Sequence, residues 1–171
     1  MSTLPIQTDL AFIELQSHLK VAENDKFKDF LKGQPHYLVD ELAVELNAAI
    51  EPLIDCTTCG NCCRSLMITV SSTEADRLAL VLNKSLTQTK AEYLEESMGG
   101  QLVINTIPCH FLECNKCTIY EDRFADCRAF PNLHLPELSK RIFATLMHYG
   151  RCPIVYNVIE AMKERTNFMA V

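Results

Sequence analysis

The sequence predicts a mainly α fold with a small β-sheet (α+β) and an irregular, cysteine-rich, metal-bound core. Three observations carry that expectation. Apolar residues recur at helical spacing in both the N-terminal and C-terminal stretches. β-rich runs are short and few. Four of the nine cysteines fall within Cys56–Cys63, among turn-forming residues rather than on an amphipathic face.

Taken in order, Asp9 to Leu31 carries Phe12, Ile13, Leu15, Leu19, Val21, Phe27, Phe30 and Leu31 at roughly helical spacing, as one or two helices, and Gly33-Gln34-Pro35 stops it. Tyr37 to Ile54 repeats the pattern, with Pro52 marking a kink or an end. After the first cysteine block, Leu66 to Val70 reads as a strand. Ser71 with Glu74 forms a capping box, so a helix starts there and runs through Leu82. Thr89 with Glu92 repeats the box before a helix over Ala91 to Met98. Gly99-Gly100 ends that helix, and Gln101 to Thr106 is a second strand. Pro108 to Pro131 is irregular, with a brief strand at Thr118 to Tyr120 and a helical turn near Phe124 to Arg128. Pro136 and Pro153 sit where a first helical turn accepts proline, opening two last helices. The second of these places Ile154, Val155, Val158, Ile159 and Met162 on one face. There is no internal repeat. Residues 1–54 are expected to form an N-terminal helical extension and residues 55–171 a cysteine-cluster metal-binding domain, together one compact body.

Composition narrows the function classes. The 171 residues are 48% hydrophobic and 22% charged, the balance of an ordinary globular domain with a sizeable core. A net charge of −6 argues against broad nucleic-acid binding, which needs a basic face. Met1 to Leu15 has no basic cluster ahead of an apolar run, so no secretory leader is expected. No run of apolar residues is long enough for a membrane span. The expected location is the cytoplasm. There, disulfides seldom persist, and clustered cysteines more often bind metal.

The densest signal is Cys56-Thr-Thr-Cys59-Gly-Asn-Cys62-Cys63. A C-x2-C step folds the backbone back so that two sulfurs reach one ion, and glycine eases the turn. Two such steps overlap here. Cys62 and Cys63 point in different directions, which suggests different metals or different irons of one cluster. Cys109, Cys114, Cys117, Cys127 and Cys152 follow; nine sulfurs fill two four-thiolate sites with one left over. Zinc favours C-x2-C pairs in a tetrahedral site. Iron–sulfur clusters use C-x2-C-x2-C with a remote cysteine before proline, which Cys56, Cys59, Cys62 and Cys152-Pro153 echo. Spacing leaves zinc and iron, including a [4Fe-4S] cluster, equally open. Arg64, Lys116, Arg128 and Arg151 each adjoin a cysteine and would offset the surplus negative charge of metal thiolates.

These residues resemble a known family. Cys56-x2-Cys59-Gly-x-Cys62-Cys63, Cys109-His-Phe-Leu, Lys116-Cys117-Thr-Ile-Tyr-Glu, Arg123 and Asp126-Cys127-Arg128-Ala-Phe-Pro131 look like the YkgJ-type CxxCxxCC cysteine-cluster family, named for zinc or iron chelation. The likeness spans Cys56 to Cys152. It implies a metal set of Cys56, Cys59, Cys62, Cys63, Cys109, Cys117, Cys127 and Cys152. Spacing alone pairs Cys114 with Cys117 as a knuckle, whereas the resemblance makes Cys114 spare. Phe124 departs from the family's usual proline. A larger member, flagellin lysine N-methylase, is thought to pair an iron–sulfur cluster with S-adenosylmethionine. That resemblance favours iron without transferring methylase activity, since this chain has no glycine-rich loop after a strand.

Other groups carry less. His110 adjoins Cys109 and is a minor ligand candidate, because sulfur already fills the coordination. His18, His36, His134 and His148 read as ordinary polar residues. Thr118 to Arg123 reads as a strand and turn that locks the cluster, with Arg123 alternatively an anion or carboxylate partner. The expected function is therefore a metal-binding module for zinc or iron. The alternatives are an iron–sulfur enzyme of redox or methyl-transfer type, or a thiol redox switch at Cys62-Cys63 or Cys114-Cys117. The expected partners are metal ions, with neither nucleic acid nor membrane.

Overall fold

The computed structural model describes residues 5–170, so the start of the Met1 to Leu15 stretch lies outside the described residues. The chain is mainly α with two small antiparallel sheets, as the sequence predicts. It divides into two compact units. One takes residues 5–55 and 131–170, and the other is Cys56–Phe130.

The first unit is helical. It contains α1 (Leu10–Leu19), α2 (Val21–Lys32) and α3 (His36–Ile50), and later α8 (Leu138–Leu146) and α9 (Pro153–Arg165). The predicted Asp9–Leu31 pattern is thus two helices, with Asp9 accepting from the backbone N–H of Ala11 and Phe12 to start the first. Pro153 stands in the first turn of α9, where its missing N–H costs nothing. Sequence periodicity gave α9 one apolar face, but ten of its thirteen residues are buried. A helix buried on all sides must satisfy its polar groups internally. Asn157 does so by exchanging hydrogen bonds with the Gln7 backbone at 2.9 and 2.8 Å.

The helix expected at Pro136 begins instead at Leu138. Glu137 adopts a left-handed φ of 59° and supplies no side-chain cap. Asp40 of α3 takes over, accepting from the N–H groups of Glu137 and Leu138 at 2.8 Å each. Arg141 then ties down the preceding loop through the carbonyls of Asn132, Leu135 and Pro136.

An ionic network lies inside this unit. The Lys163 ammonium, on a side chain only 7% exposed, donates to Glu23 at 2.6 Å, Asn24 at 2.6 Å and Glu160 at 2.7 Å. Glu160 also accepts from Lys20 and from the Tyr149 hydroxyl. Burial alone would raise the Glu160 carboxyl, but the hydrogen bonds from Lys163 and Lys20 outweigh it and hold that group below the ordinary carboxylate range.

The second unit contains α4 (Cys56–Cys59), β1 (Thr69–Val70), α5 (Ser72–Val81), α6 (Leu86–Tyr93), β2 (Leu94–Glu96), β3 (Leu102–Ile104), β4 (Leu112–Glu113), β5 (Lys116–Cys117) and α7 (Ala125–Ala129). Its larger sheet runs β1-β3-β2, with Thr69 and Glu95 both paired to Val103. β4 and β5 form a hairpin. Ile68, Val70, Ala75, Leu78, Leu94, Ile104, Phe111, Ile119 and Phe124 make the core, and Cys109, Cys117 and Cys127 pack against it.

The Ser71–Glu74 box opens α5 as predicted. The second box is a correction. Ser85 with Gln88, not Thr89 with Glu92, caps the next helix, so α6 ends at Tyr93. The span expected to be helical at its end is strand β2, because Leu94 is buried while Glu95 and Glu96 face solvent and pair with β3. The strand expected at Thr118 to Tyr120 lies earlier, at Lys116–Cys117, and Tyr120–Asp122 is a 3-10 turn.

Glu74 does more than cap. Its second oxygen accepts from the Ala125 N–H at 2.6 Å, at the start of α7. Asp126 reaches back to the backbone and hydroxyl of Thr69, and Arg77 donates to Asp122 at 2.8 and 2.5 Å. Three carboxylates thus fasten the Tyr120–Ala129 segment to β1 and α5.

Two outcomes are expected. Lys163→Ala removes the ammonium shared by Glu23, Asn24 and Glu160, leaving Glu160 only Lys20 and the Tyr149 hydroxyl, and lowers stability by about 3 kcal/mol in chemical denaturation. Because the folded Glu160 carboxyl titrates below its unfolded value of about 4.3, its contribution is complete above that value and is lost as pH falls through the lower folded one. Acid titration followed by circular dichroism should show that loss in the wild type and much less of it in Lys163→Ala. Glu74→Ala removes the carboxylate that accepts from the Ser71 N–H at the start of α5 and from the Ala125 N–H at the start of α7, costing about 1–2 kcal/mol by denaturant titration.

Candidate metal centre

The nine cysteines are distributed unevenly. Eight lie in the Cys56–Phe130 unit, while Cys152 lies in the other, buried at the N-cap of α9. No disulfide joins any of them among the described residues. Cys56 and Cys59 start and end α4, and Cys62 and Cys63 lie in the 3-10 turn Cys62–Arg64 that follows. Gly60 separates the two segments with φ 60°, a conformation that glycine adopts without steric cost. Cys109 precedes β4, Cys117 is in β5 and Cys127 is in α7. Cys114 occupies the exposed β4–β5 turn.

Five of these sulfurs, on Cys62, Cys63, Cys109, Cys117 and Cys127, act on one another. The Cys62 thiol is lowered to about 6, chiefly by a hydrogen bond from the Cys63 thiol and against burial; nearby backbone N–H groups and the Arg123 guanidinium assist. Cys63 is raised because it is the donor in that bond, because it is partly buried, and because Cys62, Cys109 and Cys117 face it. Burial raises Cys109 and Cys117, partly opposed by the N–H groups of Phe111 and Ile119. Cys127 is pushed up to about 12 by burial first, then by Cys109, Cys62 and Cys117. The segments are joined through the backbone as well, the Cys109 N–H donating to the Cys63 carbonyl at 2.8 Å.

Arg123 is a cation that bears on this cluster, favouring charge on Cys62, Cys117 and Cys127. It is fixed by stacking on the Tyr120 ring at 3.7 Å and by donating to the Tyr120 carbonyl at 3.0 Å. Sequence reasoning gave the charge-balancing role to residues adjoining cysteines, because chain adjacency was the only proximity it could read. Of those, Arg64 donates to the Cys59 carbonyl at 3.1 Å and to Asn115. His110 is engaged by the Asn105 amide at 2.6 Å and by the edge of Tyr93.

The donor chemistry fits a thiophilic cation. The sulfurs are soft and partly buried, one is readily ionised, and a guanidinium offsets surplus charge. Among the described residues, no three Cys, His, Asp or Glu side chains are gathered into a ready coordination sphere. Ligation therefore entails side-chain rotation within the cluster. No helix among the described residues is long and apolar enough to cross a membrane.

A family model described as "CxxCxxCC: Putative zinc- or iron-chelating domain" matches residues 55–153, more than half of the chain. Comparison with curated proteins and with solved structures returns no match. With its overlapping C-x2-C steps, its adjacent cysteine pair and its distal thiols all inside that match, the chain belongs to the CxxCxxCC family of zinc- or iron-chelating domains.

Proposed function

We propose that the Cys56–Phe130 unit holds zinc or iron through cysteine thiolates, and that the bound metal completes the fold of this unit. The observation that carries the reading is the mutual influence of Cys62, Cys63, Cys109, Cys117 and Cys127 around Arg123. Crowding five thiols is unfavourable as soon as more than one ionises. A soft cation reverses this, because coordinated thiols give up their protons and the like charges then share a counter-charge. Cys56 and Cys59 belong to the same unit and extend the donor set. The family pattern also nominates Cys152, which lies in the other unit. A reducing compartment such as the cytoplasm suits a site whose donors are reduced thiols.

Elemental analysis and an absorbance spectrum of protein purified without oxygen will identify the metal. Stoichiometric zinc with no visible absorbance supports a closed structural site, whereas brown protein with iron and sulfide supports a cluster. Protein carrying neither, with reversible disulfides instead, defeats the proposal. Stripping the metal with a chelator is expected to abolish near-UV circular dichroism from the aromatic residues around the cluster and to shift the far-UV signal; unchanged spectra would count against a folding role.

A further inference from the structure

We infer that Arg123 is a positioning residue of the metal centre, its guanidinium held ready as the counter-charge that lets several thiolates ligate one cation. The inference rests on the metal-binding reading above and names a residue that sets the affinity of that site.

The side chain is fixed before any ion arrives. Its guanidinium stacks on the Tyr120 ring at 3.7 Å, and Nε donates to the Tyr120 carbonyl at 3.0 Å. The backbone on either side is clamped as well. Asp122 accepts from Arg77, and the Ala125 N–H donates to Glu74. A planar fork held in this way loses little freedom when its remaining donors meet an acceptor.

Those remaining donors are not met by a carboxylate. Asp122 and Asp126 are near in the chain, but Asp122 is bound to Arg77 and Asp126 to the backbone and hydroxyl of Thr69. Among the described residues, the terminal nitrogens of Arg123 make neither a hydrogen bond nor an ion pair. The sequence suggested a carboxylate or another anion for this arginine; the structure offers it sulfur.

Cys117 and Cys127 flank Arg123 in the chain and pack against the apolar core that includes Ile119 and Phe124. Cys62 joins them from a distant segment, and Arg123 favours charge on all three. In the metal-free cluster that influence is secondary to burial and to the hydrogen bond from Cys63. It grows as the sulfurs ionise. Four thiolates around a divalent cation leave two surplus negative charges, and one guanidinium halves that surplus. Cations next to cysteines in sequence are placed differently. Arg64 is spent on the Cys59 carbonyl and the Asn115 side chain, and Arg128 is exposed on α7.

The test is the metal affinity of the reduced full chain, titrated without oxygen with zinc and with cobalt(II) against a chromophoric chelator. Arg123→Gln is expected to weaken binding about 10- to 100-fold. It should also lower the sulfur-to-cobalt absorption per bound ion, because fewer thiolates stay coordinated. Arg123→Lys separates charge from structure. It forfeits the planar stack and the Nε bond but keeps the charge, so it is expected to bind more tightly than Arg123→Gln and less tightly than wild type. Arg128→Gln, next to a thiol but exposed, is expected to bind as wild type does. Wild-type affinity in Arg123→Gln, no recovery in Arg123→Lys, or a matching loss in Arg128→Gln overturns the inference and leaves the metal-binding proposal standing. A wild-type chain that binds neither ion defeats both.

Discussion

Everything in the cysteine-rich unit depends on how several thiols can be held close together without driving one another apart. The structure answers with asymmetry. The Cys63 thiol donates toward Cys62, which makes Cys62 the more readily ionised sulfur of the adjacent pair and biases Cys63 toward the neutral thiol. Burial and the charge on Cys62 then bias Cys109, Cys117 and Cys127 toward the neutral thiol, and Arg123 faces the charge that remains. Without metal, such a cluster tolerates about one thiolate. With a divalent cation, several are tolerated, and the difference between those two conditions is free energy available for ordering the chain.

The supporting shell is a set of carboxylate-to-backbone contacts rather than a large apolar interface. Glu74 accepts from the Ser71 and Ala125 N–H groups at the starts of α5 and α7, and Asp126 ties α7 to β1. These contacts orient Cys127 from its own helix and Cys117 from the segment leading into it. Glu74 is itself held below the ordinary carboxylate range: burial opposes this, but the N–H groups of Ala125 and Ser71 prevail. A charged acceptor bonded by several backbone donors is a rigid anchor for the loop that carries Cys117 and Cys127.

The sequence made some of this legible. Local signals with a single physical cause were read correctly: the Ser71–Glu74 box, Pro153 opening the last helix, and the turn at Gly60 after Cys59. Errors arose where two local signals competed. Thr89 and Glu92 have the spacing of a capping box, but Thr89 is wholly buried inside α6, and Ser85 with Gln88 holds the cap. The β4–β5 hairpin was missed because its loop residues are Cys114 and Asn115, and cysteine is not a turn signal. The Lys163–Glu23–Glu160 network joins residues some 140 positions apart in the chain, and no periodicity reports such a partnership. The cysteine block was visible at once and the resemblance nominated the distal thiols with it, whereas the bearing of Arg123 on Cys62, Cys117 and Cys127 was not legible, because it exists only in three dimensions.

The two units solve the stability problem differently. The helical unit has α9, buried along most of its length, and long helices packed on it, so apolar burial can offset chain entropy. The cysteine-rich unit has strands of two or three residues and a core of nine buried side chains, flanked by partly buried sulfur. Sheets this short are marginal in water without further support. On the proposed reading, a thiolate-bound ion would supply what the small core lacks, because each ligand bond would tie together segments distant in sequence. On this view the cysteines are not an attachment to a finished scaffold. The contacts of Glu74, Asp126 and Arg77 would position the irregular loop between Cys109 and Cys127, and an ion held by its sulfurs would complete it.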